Sequence, residues 1–306
     1  MKSGIEAVDR NDLILFDNTY TDRLHLRESL LLQYFTDVIG VTDESNVHIQ
    51  HAVQELYNYL FASYLPTRYP AIFEVCPKEA STPAQVKNLE TGHVFPMQAT
   101  QSTPLRAALR TIAQNVDEDF FILFPQQGAT KDEEVYTLEA YAACFPSGFQ
   151  PKDKIGKRLA DIHGPVPGYK EKLQRSMDRF FARLEPGRYV KRVNWGLTVD
   201  EELFSNFDKS KPAFEGKLQK LSLQELDLDK TFLRCERQTL HRLPASGAII
   251  FGFHTYLYPI RDIKEEGSGD FLAQAIDGLE NGSVPEMFTY KNGEKWADAV
   301  REYLRS

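Results

Sequence analysis

Phe232-Leu233-Arg234-Cys235-Glu236-Arg237-Gln238-Thr239-Leu240-His241-Arg242, then Leu243-Pro244-Ala245-Ser246-Gly247, then Ala248-Ile249-Ile250-Phe251-Gly252-Phe253-His254-Thr255-Tyr256-Leu257-Tyr258 is the stretch that decides the fold class. Two long runs rich in aromatic and branched residues flank a short link holding proline and glycine, which predicts a β-hairpin. Outward from it, Tyr189 to Val199 is a third strand, with Val193, Trp195, Leu197 and Val199 on one face. Phe120 to Phe124 and Glu134 to Ala143 make two more, separated by a turn at Gln127-Gly128. About five strands joined by hairpins, without a repeated βαβ alternation, predict a mostly antiparallel five-stranded sheet.

Helical spacing surrounds these strands. Leu24, Leu26, Leu30, Leu31, Tyr34 and Phe35 recur with a helical period, as do Val53, Leu56, Tyr57, Leu60 and Phe61. The second of these helices should stop at Leu65-Pro66. Thr103-Pro104 should open a helix through Gln114, with proline at its first position. Cys144 to Tyr169 is a proline- and glycine-rich loop with a helical piece from Ile155 to Ile162. Lys170 to Leu184 is amphipathic, and helices are expected over Arg261 to Gly278 and Lys295 to Leu304. The expected class is α+β: a single domain over residues 1–306, with an N-terminal helical elaboration.

Composition narrows the functions. The net charge is -8, and the densest basic segment, Lys152 to Arg158, is broken by Asp153. Phosphate binding needs clustered Lys and Arg, so no nucleic-acid partner is expected. No stretch approaches the ~20 apolar residues of a membrane helix, and Met1 to Leu15 lacks an apolar leader core. Three widely spaced cysteines, Cys76, Cys144 and Cys235, argue against a disulfide framework and for a reducing compartment. The expected location is the cytoplasm. There is no CxxC pair, GxGxxG turn, P-loop or GxSxG elbow, so any redox chemistry would draw its electrons from elsewhere.

Three constellations could carry chemistry. His163 stands before Gly164-Pro165-Val166-Pro167 on backbone stiffened by proline. It is either a preorganised metal or haem ligand or a turn histidine that caps a helix end. In Arg234 to Thr239, alternation puts Arg234, Glu236 and Gln238 on one face and Cys235, Arg237 and Thr239 on the other. Such a strand lines a wet pocket, where arginine could hold a carboxylate, or forms an exposed charged ladder. His254 shares a face with Gly252 and Tyr256. A glycine inside a strand marks close approach of a ligand or another group, although a core strand with one satisfied histidine explains the same pattern. Cys144 is read as a small buried hydrophobe rather than a thiolate ligand.

Taken in order, several segments resemble the haem-dependent oxidative N-demethylase family. They are Cys144-Phe145-Pro146-Ser147-Gly148-Phe149, Lys154-Ile155-Gly156, Ile162-His163-Gly164-Pro165-Val166-Pro167, Arg192-Val193-Asn194-Trp195, and Leu233 to Leu240 with Arg242-Leu243-Pro244. Asp17-Asn18-Thr19-Tyr20 and Leu65-Pro66-Thr67-Arg68-Tyr69-Pro70 are weaker matches. The resemblance implies a PAS-like subunit that binds haem b and works with separate flavin and iron–sulfur reductase subunits. It implies oxidative removal of a methyl group from a small secondary amine such as dimethylamine, with O₂ and NADPH. Formaldehyde would leave by collapse of a carbinolamine.

On matching positions, the resemblance makes His163 the axial-ligand candidate. Arg234 and Arg237 become candidates for the propionates or the substrate side. Asn194, Trp195 and Glu236 become pocket candidates, with Glu236 placed to balance a protonated amine. Glu236 and Arg237 are the catalytic candidates, and His254 is a cofactor-binding candidate standing where the family pattern often has arginine. Two rivals belong to other classes: a haem-based PAS-like sensor, and a haem-free ligand-binding or interaction protein on the same scaffold.

Overall fold

In the computed structural model, residues 4–77, 83–125, 135–199, 203 and 220–306 are described. The strands among them are β1 (Glu6–Ala7), β2 (Ile39–Val41), β3 (Phe73–Cys76), β4 (Gln85–Asn88), β5 (Val94–Pro96), β6 (Asp119–Pro125), β7 (Tyr136–Ala142), β8 (Tyr189–Thr198), β9 (Phe232–Arg242) and β10 (Ile249–Pro259). One antiparallel sheet has seven strands in the order β1-β8-β9-β10-β6-β7-β2, and a second has three in the order β3-β4-β5. The chain is α+β. The five expected strands are β6 to β10, and the short edge strands β1 and β2 raise the count to seven. The turn expected at Gln127-Gly128, and Glu134 at the start of its strand, lie outside the described residues.

The hairpin of β9 and β10 pairs along its full length, from Arg242 opposite Ile249 to Phe232 opposite Pro259. Gly247 closes its link with φ +72°, a backbone region that side-chain-bearing residues avoid. The Glu55 carboxylate accepts the N–H groups of Ala245 and Ser246 at 2.7 Å each, which ties the link to the helix Val47–Tyr59. Register sets the faces, because residues opposite one another on neighbouring strands point the same way. Arg192, Asn194, Arg234, Glu236, Gln238, Phe251, Phe253, Thr255 and Phe121 share the front face. Trp195, Arg237, Thr239, His241, Gly252, His254 and Phe120 share the back.

Both faces are covered. The back packs against the N-terminal helices through Phe120, Ile122, Ala140, Ala142 and Ile250. The front packs against the segment 144–185 through Phe121, Leu123, Tyr136, Leu240, Ile249 and Phe253, which meet Leu159, Phe181 and Leu184. Burial on two sides explains why Phe120 to Phe124 in β6 reads as a continuous apolar run instead of alternating. Each large side chain sealed this way contributes roughly 1.5–3 kcal/mol. The C-terminal helices build a third cluster on Trp296, Ile276 and Val300, against which Trp195 and Leu197 pack.

Two helix boundaries differ from expectation. The helix begun at Val47 does not stop at Leu65-Pro66 but runs on to Arg68 through a wide turn over Leu60–Tyr64. The Leu65 N–H reaches back to the Leu60 carbonyl, five residues away, and this widening lets proline enter the next turn. The span Arg261 to Gly278 is two helices, Ile260–Glu265 and Gly269–Glu280. No helix among the described residues is long and apolar enough to cross a membrane.

Candidate functional site

Asp119, at the start of β6, accepts the N–H groups of Cys144 and Phe145 at 2.8 and 2.7 Å. On the front face, Arg234 donates to the Phe145 carbonyl at 2.8 Å and to the Leu203 carbonyl at 3.4 Å. These bonds root the segment that crosses the front of the sheet. Its short helix Leu159–Ile162 ends on His163, whose Nδ1 lies 2.8 Å from the Leu159 carbonyl. A carbonyl only accepts, so Nδ1 carries the proton and Nε2 keeps its lone pair. The ring stacks on Tyr169 with centroids 4.7 Å apart and planes 10° from parallel. Burial, with Arg192 and Lys154 adding to it, holds the His163 imidazole below its ordinary value against the pull of the Leu159 bond. The result is a neutral, oriented imidazole.

The floor facing this segment is apolar on one side and polar on the other. Phe121, Phe149, Phe251 and Phe253 form an aromatic wall, with Phe121 edge-on to Phe253 at 5.3 Å and to Phe149 at 6.0 Å. Beyond it lies the carboxylate of Glu236. Its Oε2 accepts from Gln238 at 3.1 Å and from Asn194 at 3.4 Å. Its Oε1 is buried and has no hydrogen-bond partner among the described residues, as is true of Arg192 Nε and Thr255 Oγ1 beside it on the same face. Lys291, from the end of the helix Glu286–Tyr290, donates to Asn194 Oδ1 at 3.1 Å and to the Trp195 carbonyl on the open edge of β8. Burial lowers the Lys291 ammonium, opposed by Glu236. Burial raises the neighbouring Tyr290 hydroxyl, and Glu236 adds to that rise.

The structure therefore brings His163, Asn194 and Glu236 to one side of the sheet and separates other candidates from them. Arg237 points to the back, where it donates to the Leu13 carbonyl at 3.0 Å and to the Asp12 carbonyl. His254 is on the back too, with Nδ1 on the Asp117 carbonyl at 2.5 Å and Nε2 3.8 Å from Asp17 Oδ2. The reason is the two-residue period of the strand, which turns neighbours of Glu236 and Thr255 away from the front. Trp195 also faces backward, into the C-terminal cluster, with the Lys291 ammonium 5.9 Å from its ring. Gly252 does mark a close approach: a Cβ there would lie 2.8 Å from Thr239 Oγ1 and 3.0 Å from Glu118 Oε1. The crowding groups come from the protein itself. Burial pushes the Cys144 thiol up to about 12, so it stays protonated at neutral pH.

A model of the family described as haem-dependent oxidative N-demethylase, alpha subunit-like, matches residues 4–301. The chain belongs to this family. As a haem-dependent oxidative demethylase family member, it falls in the oxidoreductase class, and the alpha-subunit designation points to partner subunits. Among the described residues, no group of three or more His, Cys, Asp or Glu is placed to hold a metal ion. Haem iron needs only one axial side chain from the protein. The His163 imidazole fits that need, with a fixed tautomer and an available Nε2.

Arg192, although part of the motif Arg192-Val193-Asn194-Trp195, and Lys291 were not among the candidate site residues named from sequence. Arg192 could have been found, since it lies two positions from Asn194 and the strand period puts both on one face. Lys291 offered no local signal. It reaches Asn194 from 97 residues away.

Proposed function

We propose that this chain is the haem-carrying subunit of an oxidative N-demethylase acting on a small secondary amine whose nitrogen bears a methyl group, as in dimethylamine. The observation that carries the reading is the half-buried imidazole of His163, neutral and held by Leu159 with Nε2 available. The five long strands, numbered in chain order, lie in the sequence 2-1-5-4-3, which supports a PAS-like core. We read residues 1–306 as a single domain with the N-terminal helices as its elaboration.

His163 would hold haem b through Nε2, and the aromatic wall of Phe121, Phe149, Phe251 and Phe253 supplies apolar surface for a flat ring. Haem, when bound, supplies oxidation of the N-methyl carbon by O₂, with two electrons from that carbon and two from NADPH through separate flavin and iron–sulfur subunits. One oxygen atom ends in formaldehyde and the other in water. Glu236 Oε1, buried and without a hydrogen-bond partner among the described residues, would accept the N–H of a protonated amine, because a buried carboxylate gains most from a charged donor. Asn194 and Gln238 hold that carboxylate through Oε2 and leave Oε1 to the substrate. The packing of 144–185 on the front face keeps bulk water from the reacting carbon.

The test is formaldehyde release from a methylated secondary amine by the haem-loaded chain, given O₂, NADPH and a compatible reductase. Turnover that falls at least about tenfold in Glu236→Gln, the worth of one charged hydrogen bond, supports the assignment. A haem-loaded chain that is reduced and oxidised without forming formaldehyde makes it a haem sensor instead.

A further inference from the structure

Arg192 and Glu236 are diagonal neighbours on the front face, since Arg192 opposes Gln238 and Asn194 opposes Glu236. Diagonal positions lie about 7–8 Å apart at the backbone, well within reach of two long side chains. No ion pair within 4.0 Å joins them, and the Arg192 side chain makes no hydrogen bond or ion pair among the described residues. The Arg192 Nε donor and the Glu236 Oε1 acceptor are each buried and without a hydrogen-bond partner among the described residues, as is Thr255 Oγ1, opposite Glu236 on the next strand. Leaving a buried polar atom unmet costs roughly 1–3 kcal/mol. Three such atoms on one patch mark a place shaped for something with its own donor and acceptor.

The charge balance says what that is. Arg192 and Lys291 are cations, and Glu236 is the anion that acts on both. A bare ammonium entering here would add a second unbalanced positive charge in a partly buried site. An amine that carries its own carboxylate would not: its ammonium meets Glu236 Oε1 and its carboxylate meets the Arg192 guanidinium, a donor built for that shape.

We propose that Arg192 and Glu236 form a two-point subsite for an N-methylated amino acid, so that among methylated secondary amines this chain prefers one that bears its own carboxylate. The proposal rests on the demethylase reading for the fate of the methyl group, and on the unpaired Arg192–Glu236 gap for the binding.

Calorimetric titration of the chain, purified with haem supplied, tests it with N-methylglycine, dimethylamine and acetate as probes. N-methylglycine is expected to bind at least about tenfold more tightly than either of the others, the worth of one charged hydrogen bond. Arg192→Gln is expected to remove that advantage without weakening dimethylamine binding, while Arg192→Lys restores part of it. Dimethylamine binding as tightly as N-methylglycine overturns the proposal. So does an Arg192→Gln variant that keeps the preference for N-methylglycine but loses haem faster to an acceptor protein, which would make Arg192 a partner of a haem propionate. If the variants do not fold, the comparison of the three probes on the wild-type chain decides alone. A preference for N-methylglycine in protein that takes up no haem would sustain the subsite while removing the demethylase reading.

Discussion

The guanidinium of Arg27 lies 2.9 Å from the carboxylate of Asp119, and both side chains are closed off from water. Arg27 also donates to the carbonyls of Ala113 and Glu118, each at 2.8 Å. Asp119 spends its two oxygens on the amides of Cys144 and Phe145. The pair thus links the N-terminal helix Tyr20–Gln33 to the root of the segment that carries His163. Removing one partner of a buried pair costs about 3–5 kcal/mol, because the other charge stays behind unpaired. Asp119→Asn is therefore expected to lower the melting temperature by several degrees and to loosen haem retention. A melting temperature within a degree of wild type would show that the pair is not a support of the segment.

A second prediction concerns pH. The Glu118 carboxyl is fully buried, and burial pushes it up to about 8, with neither oxygen hydrogen-bonded among the described residues. Burial alone would depress the nearby His254 imidazole, but Asp17, Asp117 and Glu118 hold it above its ordinary value. Both groups bind protons more tightly folded than unfolded, so their stabilisation is complete at low pH and is lost as pH rises through the folded values. For Glu118 that window runs from 4.5 to about 8. These two groups should pull the melting temperature down between pH 5 and 9, against the opposite pull of His241 below about 6.5, and Glu118→Gln should flatten much of the fall above that value. An unchanged slope in the variant would remove Glu118 from the account.

The main sheet was largely legible because its signals are local. The hairpin of β9 and β10 announces itself through two long branched and aromatic runs around Pro244 and Gly247. The small sheet was not legible. Its strands Phe73–Cys76, Gln85–Asn88 and Val94–Pro96 have three or four residues each and mix polar with apolar side chains, too few for a period of two to stand out. Of the candidate site, Glu236 was singled out by alternation and His163 by proline-stiffened backbone, each beside a structural alternative, and Asn194 by the family resemblance alone. Arg237 and His254 share the same strands but follow the opposite phase, and only the observed register shows which phase faces the His163 segment. The unpaired state of Arg192 is a property of space, and no sequence pattern encodes it.

Arg242 carries a third prediction. Its guanidinium donates to the carbonyls of Leu184, Phe181 and Gly247 at 2.6, 2.7 and 2.7 Å, and to the Tyr136 hydroxyl at 2.6 Å. It pins the end of the helix Gln174–Arg183, part of the front layer, to the sheet. Arg242→Ala strips several acceptors at once, each worth roughly 1–3 kcal/mol when buried and unmet. The variant should be destabilised by at least about 3 kcal/mol in denaturant titration. A loss below about 1 kcal/mol, the net value of a single hydrogen bond, would mean that water replaces the guanidinium there.

His241 gives the opposite sign. Burial lowers its imidazole to about 4, and neither ring nitrogen has a hydrogen-bond partner among the described residues. The folded chain keeps it neutral while the unfolded chain protonates it near its ordinary value, so stability is lost as pH falls from about 6.5. His241→Phe keeps an aromatic ring between Tyr59 and Tyr189 and removes the proton. The variant should melt above wild type at pH 5, with a smaller difference at pH 8. A variant that melts lower at both values would show that the ring nitrogens are met by ordered water.

The most direct measurement for the central claim is the visible absorption spectrum of protein purified with haem supplied, ferric and then ferrous with CO, for wild type and His163→Ala. Neutral His163, with Nδ1 bound to Leu159, predicts an imidazole-type Soret band in wild type that is lost or shifted in the variant. A Soret band unchanged by the substitution would move the axial ligand elsewhere in the chain, and the absence of any Soret band in wild type would contradict haem binding itself.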